Sequence, residues 1–239
     1  DAVAENVGLA VSHDEGVHGK AAMVNKIGGE YEAKFASLRA LSGDQFAHPG
    51  KKLMFMGGEF AQFIEWNYLQ QLDWSLLEYP LHDGMRKYVR ELGRLYASTP
   101  ALWKVDDSWD GFSWLNVDDS ERSSVAFMRM SQRSYIVCAL NFTPVRYDDF
   151  TIGLPKPGVL KEVINSDDTQ YGGSGILNKA EIESADESFL DHPCSAKITL
   201  PPMSAVWFRF TPTSAKKLKE LEAQKAKAAK KKAPARKKK

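Results

Sequence analysis

The apolar positions of this 239-residue chain change rhythm near residue 109. Before that point, short apolar runs alternate with stretches whose apolar residues recur every three or four positions. Residues 7–12 read as a buried strand, and Glu30 to Phe46 predicts a helix with Phe35, Leu38, Leu41 and Phe46 near one face. His48-Pro-Gly50 breaks that helix. Lys52 to Gly57 is a second short apolar run that ends in glycine ahead of Glu59, the pattern of a parallel strand covered on both faces. An aromatic-rich loop follows from Phe60 to Pro80. Met85, Tyr88, Val89, Leu92, Leu95 and Tyr96 then define an amphipathic helix that stops before Pro100.

From Trp109 onward the period is two. Phe112–Val117, Ser124–Met130, Ser134–Asn141, Thr151–Leu154, Leu160–Asn165, Lys197–Leu200 and Ser204–Phe210 are β-rich runs separated by turn residues. An antiparallel β-sandwich of about 100 residues accounts for them. The interval from Asp167 to Pro193, with Gly172-Gly-Ser-Gly175, is irregular and reads as surface loops. The expected architecture is therefore α/β plus all-β: residues 1–105 form two βα units of a (β/α)₈ barrel, 106–211 a sandwich, and 212–239 a disordered tail. Two units make about a quarter of a barrel of roughly 250 residues, so this segment reads as the C-terminal part of something longer.

Charge sharpens the division. The formal net charge is +1, yet Lys216 to Lys239 holds 12 of the 32 basic residues and only 2 of the 31 acidic ones. The tail carries +10 and the body −9. A stretch so poor in apolar residues has nothing to bury, and its cations offer nonspecific attraction to polyanions such as nucleic acid; a purely solvated extension is the plainer alternative. Cys138 and Cys194 lack partner-like spacing and read as reduced core thiols. With no long apolar run and no signal-like start, the expectation is a cytoplasmic protein without a membrane span.

The candidate chemistry sits where the first strand ends. Val7-Gly-Leu-Ala-Val-Ser-His13-Asp14-Glu15 delivers an imidazole and two carboxylates at a strand terminus, where a barrel enzyme places its reacting groups. Glycoside cleavage with retention needs a nucleophilic carboxylate, a protonated carboxyl and stabilisation of an oxocarbenium-like transition state. A third carboxylate bound to sugar hydroxyls suits His13 and Asp14. Two other readings stay open on these residues alone, a strand-end polar cluster and a metal set, though only His18 lies near enough to add a ligand.

Three stretches carry a specific resemblance: Ser12-His-Asp-Glu-Gly-Val-His-Gly-Lys20, His48-Pro-Gly-Lys-Lys-Leu-Met-Phe-Met-Gly-Gly-Glu-Phe-Ala-Gln62, and Glu65-Trp-Asn67 with Leu72-Asp-Trp74. They resemble the glycogen (1,4-α-glucan) branching enzymes of the α-amylase superfamily. The similarity continues through Trp114–Arg122 and Asn141-Phe-Thr-Pro144 to Leu200-Pro-Pro-Met203. It implies a barrel followed by an all-β C-terminal domain, an α-1,4-glucan substrate and no metal or organic cofactor. It also implies that Asp14 stabilises the transition state and His13 binds a hydroxyl of the same glucose unit. Glu15, His18, Lys20, Glu59 and Trp66 are the further substrate-binding candidates.

The family's nucleophile and general acid lie on strands preceding this segment, and neither motif occurs here. The chain alone is therefore expected to be inactive and to need the N-terminal part of the same enzyme. Gly16 and Gly58 depart from the family pattern, which commonly has Val and Asn there. Phe63, Trp66, Tyr68 and Trp74 offer apolar faces to pyranose rings, with packing of the loop onto the barrel as the alternative. The latter is preferred for Trp74, while Trp66 is evenly balanced. Trp103, Trp109, Trp114 and Trp207 are expected in the junction and sandwich core, and His18 and Lys20 fit structural hydrogen bonds as well as a site rim. The competing functions are an amylase-like hydrolase and a noncatalytic glucan-binding module.

Overall fold

The computed structural model describes residues 9–11, 19–119, 121–214 and 216, with backbone only for 9–11, 118 and 119. Strand β1 (Leu9–Val11) is followed by the short helix α1 (Met23–Lys26) and the helix α2 (Tyr31–Ala47), then by β2 (Lys52–Met54). β1 and β2 are parallel, with Leu9 opposite Lys52 and Val11 opposite Met54. α2 stops because His48 precedes Pro49 and takes an extended conformation, which proline imposes on its predecessor. These are the expected strand, helix and strand, except that β2 is not covered on both faces, since Leu53 is half exposed. Two parallel strands, and no closed barrel, are present among the described residues.

Helix α3 (Pro80–Ser98) begins with Pro80, whose missing N–H is harmless in the first turn, and ends at Thr99 ahead of Pro100. It starts earlier than its apolar residues alone predict. His82, Met85, Tyr88, Leu92 and Leu95 form its buried face.

The period-two region gives eight strands: β3 (Phe112–Asp119), β4 (Ser124–Ser131), β5 (Ser134–Asn141), β6 (Tyr147–Leu154), β7 (Gly158–Asn165), β8 (Ile182–Glu183), β9 (Cys194–Leu200) and β10 (Ser204–Pro212). Six pair antiparallel in the order β3-β4-β5-β10-β7-β8, and β6 pairs with β9 in a second sheet. Strand alternation makes the large sheet two-faced. Phe127, Ile136, Cys138, Ala205 and Trp207 join Phe35, Leu38, Met85, Tyr88 and Leu92 of the helices in one core. Ala126, Val137, Ala139, Val206 and Phe208 meet Phe150, Ile152, Ala196 and Ile198 of the small sheet in the other. The layers are thus helix, sheet, sheet.

The two cysteines belong to opposite cores, buried and unpaired, as expected of reduced thiols. Trp207 is fully buried, but Trp103, Trp109 and Trp114 are more than a third exposed. The last two pack edge-on against Phe112, with ring centroids at 5.9 Å and 4.8 Å, and leave their outer faces in solvent. The interval 167–193 is less irregular than its sequence indicates. The Asp167 carboxylate accepts from the Ser174 and Ile176 amides and the Ser174 hydroxyl, folding the glycine-rich loop onto the sheet. The Lys-rich stretch 217–239 lies outside the described residues.

Candidate functional site

Because β1 and β2 are parallel and in register, their C-terminal ends lie at the same end of the sheet. Residues 12–18 follow β1, and Phe55–Phe60 follow β2. His13, Asp14, Glu15, Gly16 and His18 lie outside the described residues. The second segment turns sharply at Gly57, whose φ of +88° favours glycine, and enters a 3-10 turn at Gly58–Phe60 that presents Glu59 half-buried.

Gly58 differs from its neighbour. Its backbone is not left-handed, and a Cβ there would stand 3.4 Å from Met54 Cγ, an ordinary contact. The departure from the family pattern therefore meets no steric demand of the backbone.

The aromatic loop wraps this end of the sheet and is internally tied. Gln62 accepts the Asp73 amide at 2.9 Å and donates to the Ile64 carbonyl at 3.2 Å. His82 donates from Nδ1 to the Phe60 carbonyl at 2.7 Å, boxed by Phe35 and Phe63 with ring centroids at 4.8 Å and 4.9 Å. Trp66 stands edge-on to Phe55 at 5.4 Å, half-buried, with Tyr68 beside it at 6.3 Å. Trp74 lies over Phe60 at 5.2 Å, yet half of it is exposed. Packing and an open aromatic face coexist in both indoles. Lys20 projects into solvent between Gly19 and Ala21.

The contact that sequence reasoning left without a role belongs to Glu65. Its carboxylate accepts the Gly19 amide at 2.9 Å and the Ala21 amide at 2.8 Å, tying the loop after β2 to the turn at Gly19–Ala21. Ala21 is left-handed at φ +63°, a conformation that costs a non-glycine residue about 1–2 kcal/mol. Asn25 adds a bond from Nδ2 to the Phe63 carbonyl at 2.7 Å. The only hint in the sequence is that Glu65 opens the Glu-Trp-Asn run.

The frame behind the site is electrostatically built. Arg129 on β4 is fully buried and donates to Asp106 Oδ1 at 2.5 Å and to the Ala47 carbonyl at 2.8 Å, the C-terminal end of α2 where a cation is favoured. Lys52 donates to the His48 and Gly50 carbonyls. Burial, and then the neighbouring Arg129 charge, push its ammonium down to about 8. Among the described residues no cluster of three His, Cys, Asp or Glu could hold a metal, and no helix is long and apolar enough to cross a membrane.

Residues 114–211 match the family described as alpha amylase, C-terminal all-beta domain. The chain is 45% identical over 207 residues to the 1,4-alpha-glucan branching enzyme GlgB of Halothermothrix orenii, covering 86% of this chain and 33% of that protein. Against the GlgB of Hydrogenovibrio crunogenus the identity is 44% over 208 residues, covering 87% and 29%. Over this span the chain is similar to 1,4-alpha-glucan branching enzymes. It spans about a third of the length of these branching enzymes and corresponds to their C-terminal part. A solved debranching enzyme of Nostoc punctiforme superposes with a TM-score of 0.55 at 16% identity, over 80% of this chain and 34% of that one. That likeness concerns the fold alone.

Proposed function

We propose that this chain is the C-terminal part of a 1,4-α-glucan branching enzyme, which cuts an α-1,4 chain and transfers it to a 6-hydroxyl to form an α-1,6 branch. The observation that carries the reading is the 45% identity over 207 residues to a branching enzyme. On this reading β1 and β2 are two strands of a (β/α)₈ barrel within residues 1–105, and 106–211 are the all-β C-terminal domain. The parallel register supports it, because a barrel gathers its reacting groups where its strands end.

Asp14 stabilises the transition state by accepting hydrogen bonds from sugar hydroxyls as positive charge develops on the ring, and His13 binds the same unit. Glu15, His18, Lys20 and Glu59 line the donor site, and the exposed face of Trp66 receives a pyranose ring. The nucleophile and acid come from the N-terminal part. Glucan occupying the acceptor site excludes water, and this makes the reaction transfer instead of hydrolysis. The place of action is the cytoplasm, a reading supported by the two reduced thiols.

The test fuses the N-terminal two thirds of the Halothermothrix orenii branching enzyme to residues 1–239 and supplies amylose. Branching lowers the iodine colour without raising reducing ends until isoamylase is added. Reducing ends that rise together with the colour loss assign a hydrolase. Glycogen that retards the protein in a native gel while amylose stays unchanged assigns a binding module.

A further inference from the structure

We propose that the cavity between the end of α3, the β4–β5 turn and the end of β10 binds a phosphate monoester of a sugar. The cavity has a volume of about 300 Å³, and Thr99, Arg133, Ser134, Tyr135, Arg209 and Phe210 line most of it. Arg133 sits in the two-residue turn that brings Ser131 opposite Ser134, and Arg209 lies on β10 opposite Ile136 of β5. The site does not depend on the branching assignment.

Its charge is unbalanced. Arg86, Arg94, Arg129 and Arg146 each meet a carboxylate. Among the described residues Arg133 and Arg209 meet none, and no aspartate or glutamate lines their cavity. Lys161 of β7 stands directly opposite Arg209, and Lys156 reaches the Tyr135 hydroxyl at 3.4 Å. Like charges directly opposite on a sheet are destabilising. Four cations thus surround one place on a body whose net charge is −9. The C-terminal end of α3 offers them only about half a negative charge, so a multiply charged anion is needed to balance them.

The donors select the anion. A guanidinium presents paired N–H groups that match two phosphate oxygens. A phosphate monoester carries a charge of about −1.5 to −2 near neutral pH, which two such forks neutralise. A monocarboxylate would leave one of them unanswered. The Thr99 and Ser134 hydroxyls stand beside the arginines as further donors.

The rest of the cavity suits a sugar. Its volume falls at the lower end of small-ligand pockets, with room beyond a phosphate group. Pro100, Phe210 and Pro212 offer apolar surface to the C–H face of a pyranose ring. Ser98 and Tyr135 already donate to the Leu95 and Gln132 carbonyls, so their oxygens remain to accept from sugar hydroxyls.

The test is isothermal titration of the 239-residue chain with glucose 6-phosphate at low ionic strength. Saturable binding of one equivalent is expected, tighter than that of inorganic phosphate, with no binding of glucose. Arg133→Gln and Arg209→Gln each weaken it about tenfold, the fold-change for losing one charge-assisted hydrogen bond. Arg209→Lys, which keeps the charge and loses the fork, recovers part of the affinity. Both arginines are exposed, so the variants keep the wild-type thermal midpoint without ligand. A chain ending at Ser214 lacks the Lys-rich stretch and keeps the affinity. Maltotriose 6-phosphate distinguishes the sources of the ester: tighter binding than glucose 6-phosphate assigns a phosphorylated glucan chain, weaker binding a free sugar phosphate. Affinity that survives replacement of both arginines, or that disappears with the Lys-rich stretch, overturns the proposal. So does the absence of saturable binding, or glucose or inorganic phosphate binding as tightly as the ester.

Discussion

Arg129 and Asp106 meet at 2.5 Å in the seam between the helices and the large sheet, with Arg129 fully shielded from water. The guanidinium also donates to the Ala47 carbonyl, so a single side chain joins β4, the end of α2 and the connection leading to β3. Removing Asp106 leaves the Arg129 charge without a carboxylate, and removing Arg129 leaves the buried Asp106 with only the exposed Lys51 at 3.8 Å; breaking such a buried pair costs about 3–5 kcal/mol. Asp106→Asn and Arg129→Met are expected to lower the urea midpoint by that equivalent. Replacing both together is expected to cost less than the sum of the two.

Gly43 on α2 faces β10 at very close range. A Cβ there would lie 2.4 Å from Ala205 Cβ and 2.6 Å from the Tyr88 hydroxyl, both buried. The helix must move away from the sheet to admit a methyl group. Gly43→Ala is therefore expected to destabilise by about 1–3 kcal/mol, the range for overpacked cores, although alanine is the better helix former. Gly58→Asn, by contrast, is expected to leave stability within about 0.5 kcal/mol, since a Cβ there makes only an ordinary contact with Met54 and the backbone is not left-handed. Parallel urea titrations of the two variants check both.

Lys52 sets a pH dependence with a definite sign. Its folded-state value of about 8 lies below the 10.5 of the free side chain, so between those values the unfolded chain binds more protons and stability rises with pH. Below about pH 8 the ammonium is charged in both states and its full burial cost is present. Lys52→Met is expected to be relatively more stable than wild type at pH 7 than at pH 9.5. Thermal midpoints of both proteins across that interval measure the narrowing difference.

Much of the fold is legible in the sequence because the responsible physics is local. β10 alternates strictly, with Ala205 and Trp207 toward the helices and Val206 and Phe208 toward the small sheet. Pro49 and Pro100 mark where helices stop. What eludes the sequence is contact between distant elements. α2 buries Arg39, Ser42 and Gln45 together with Phe35 and Leu38, because sheet, α3 and loops cover most of its circumference. An apolar period cannot register that.

Trp109 and Trp114 look like core residues by type, yet Trp109 sits in the turn before β3 and Trp114 on β3 itself, an edge strand, so both stay more than a third exposed. Within the candidate site, Glu59 lies in the 3-10 turn that follows β2 and Trp66 packs against Phe55, whereas Glu65 meets amides 44 and 46 positions away. The pairing of Tyr147 with Leu200 is equally non-local.

The most direct measurement is a crystal structure of the fusion with a maltooligosaccharide spanning the cleavage point. The account predicts the Asp14 carboxylate within about 3.2 Å of a hydroxyl of the glucose unit at the scissile bond, an ordinary hydrogen-bond distance. A glucan bound with Asp14 remote from that bond, and another group on those hydroxyls, would contradict it.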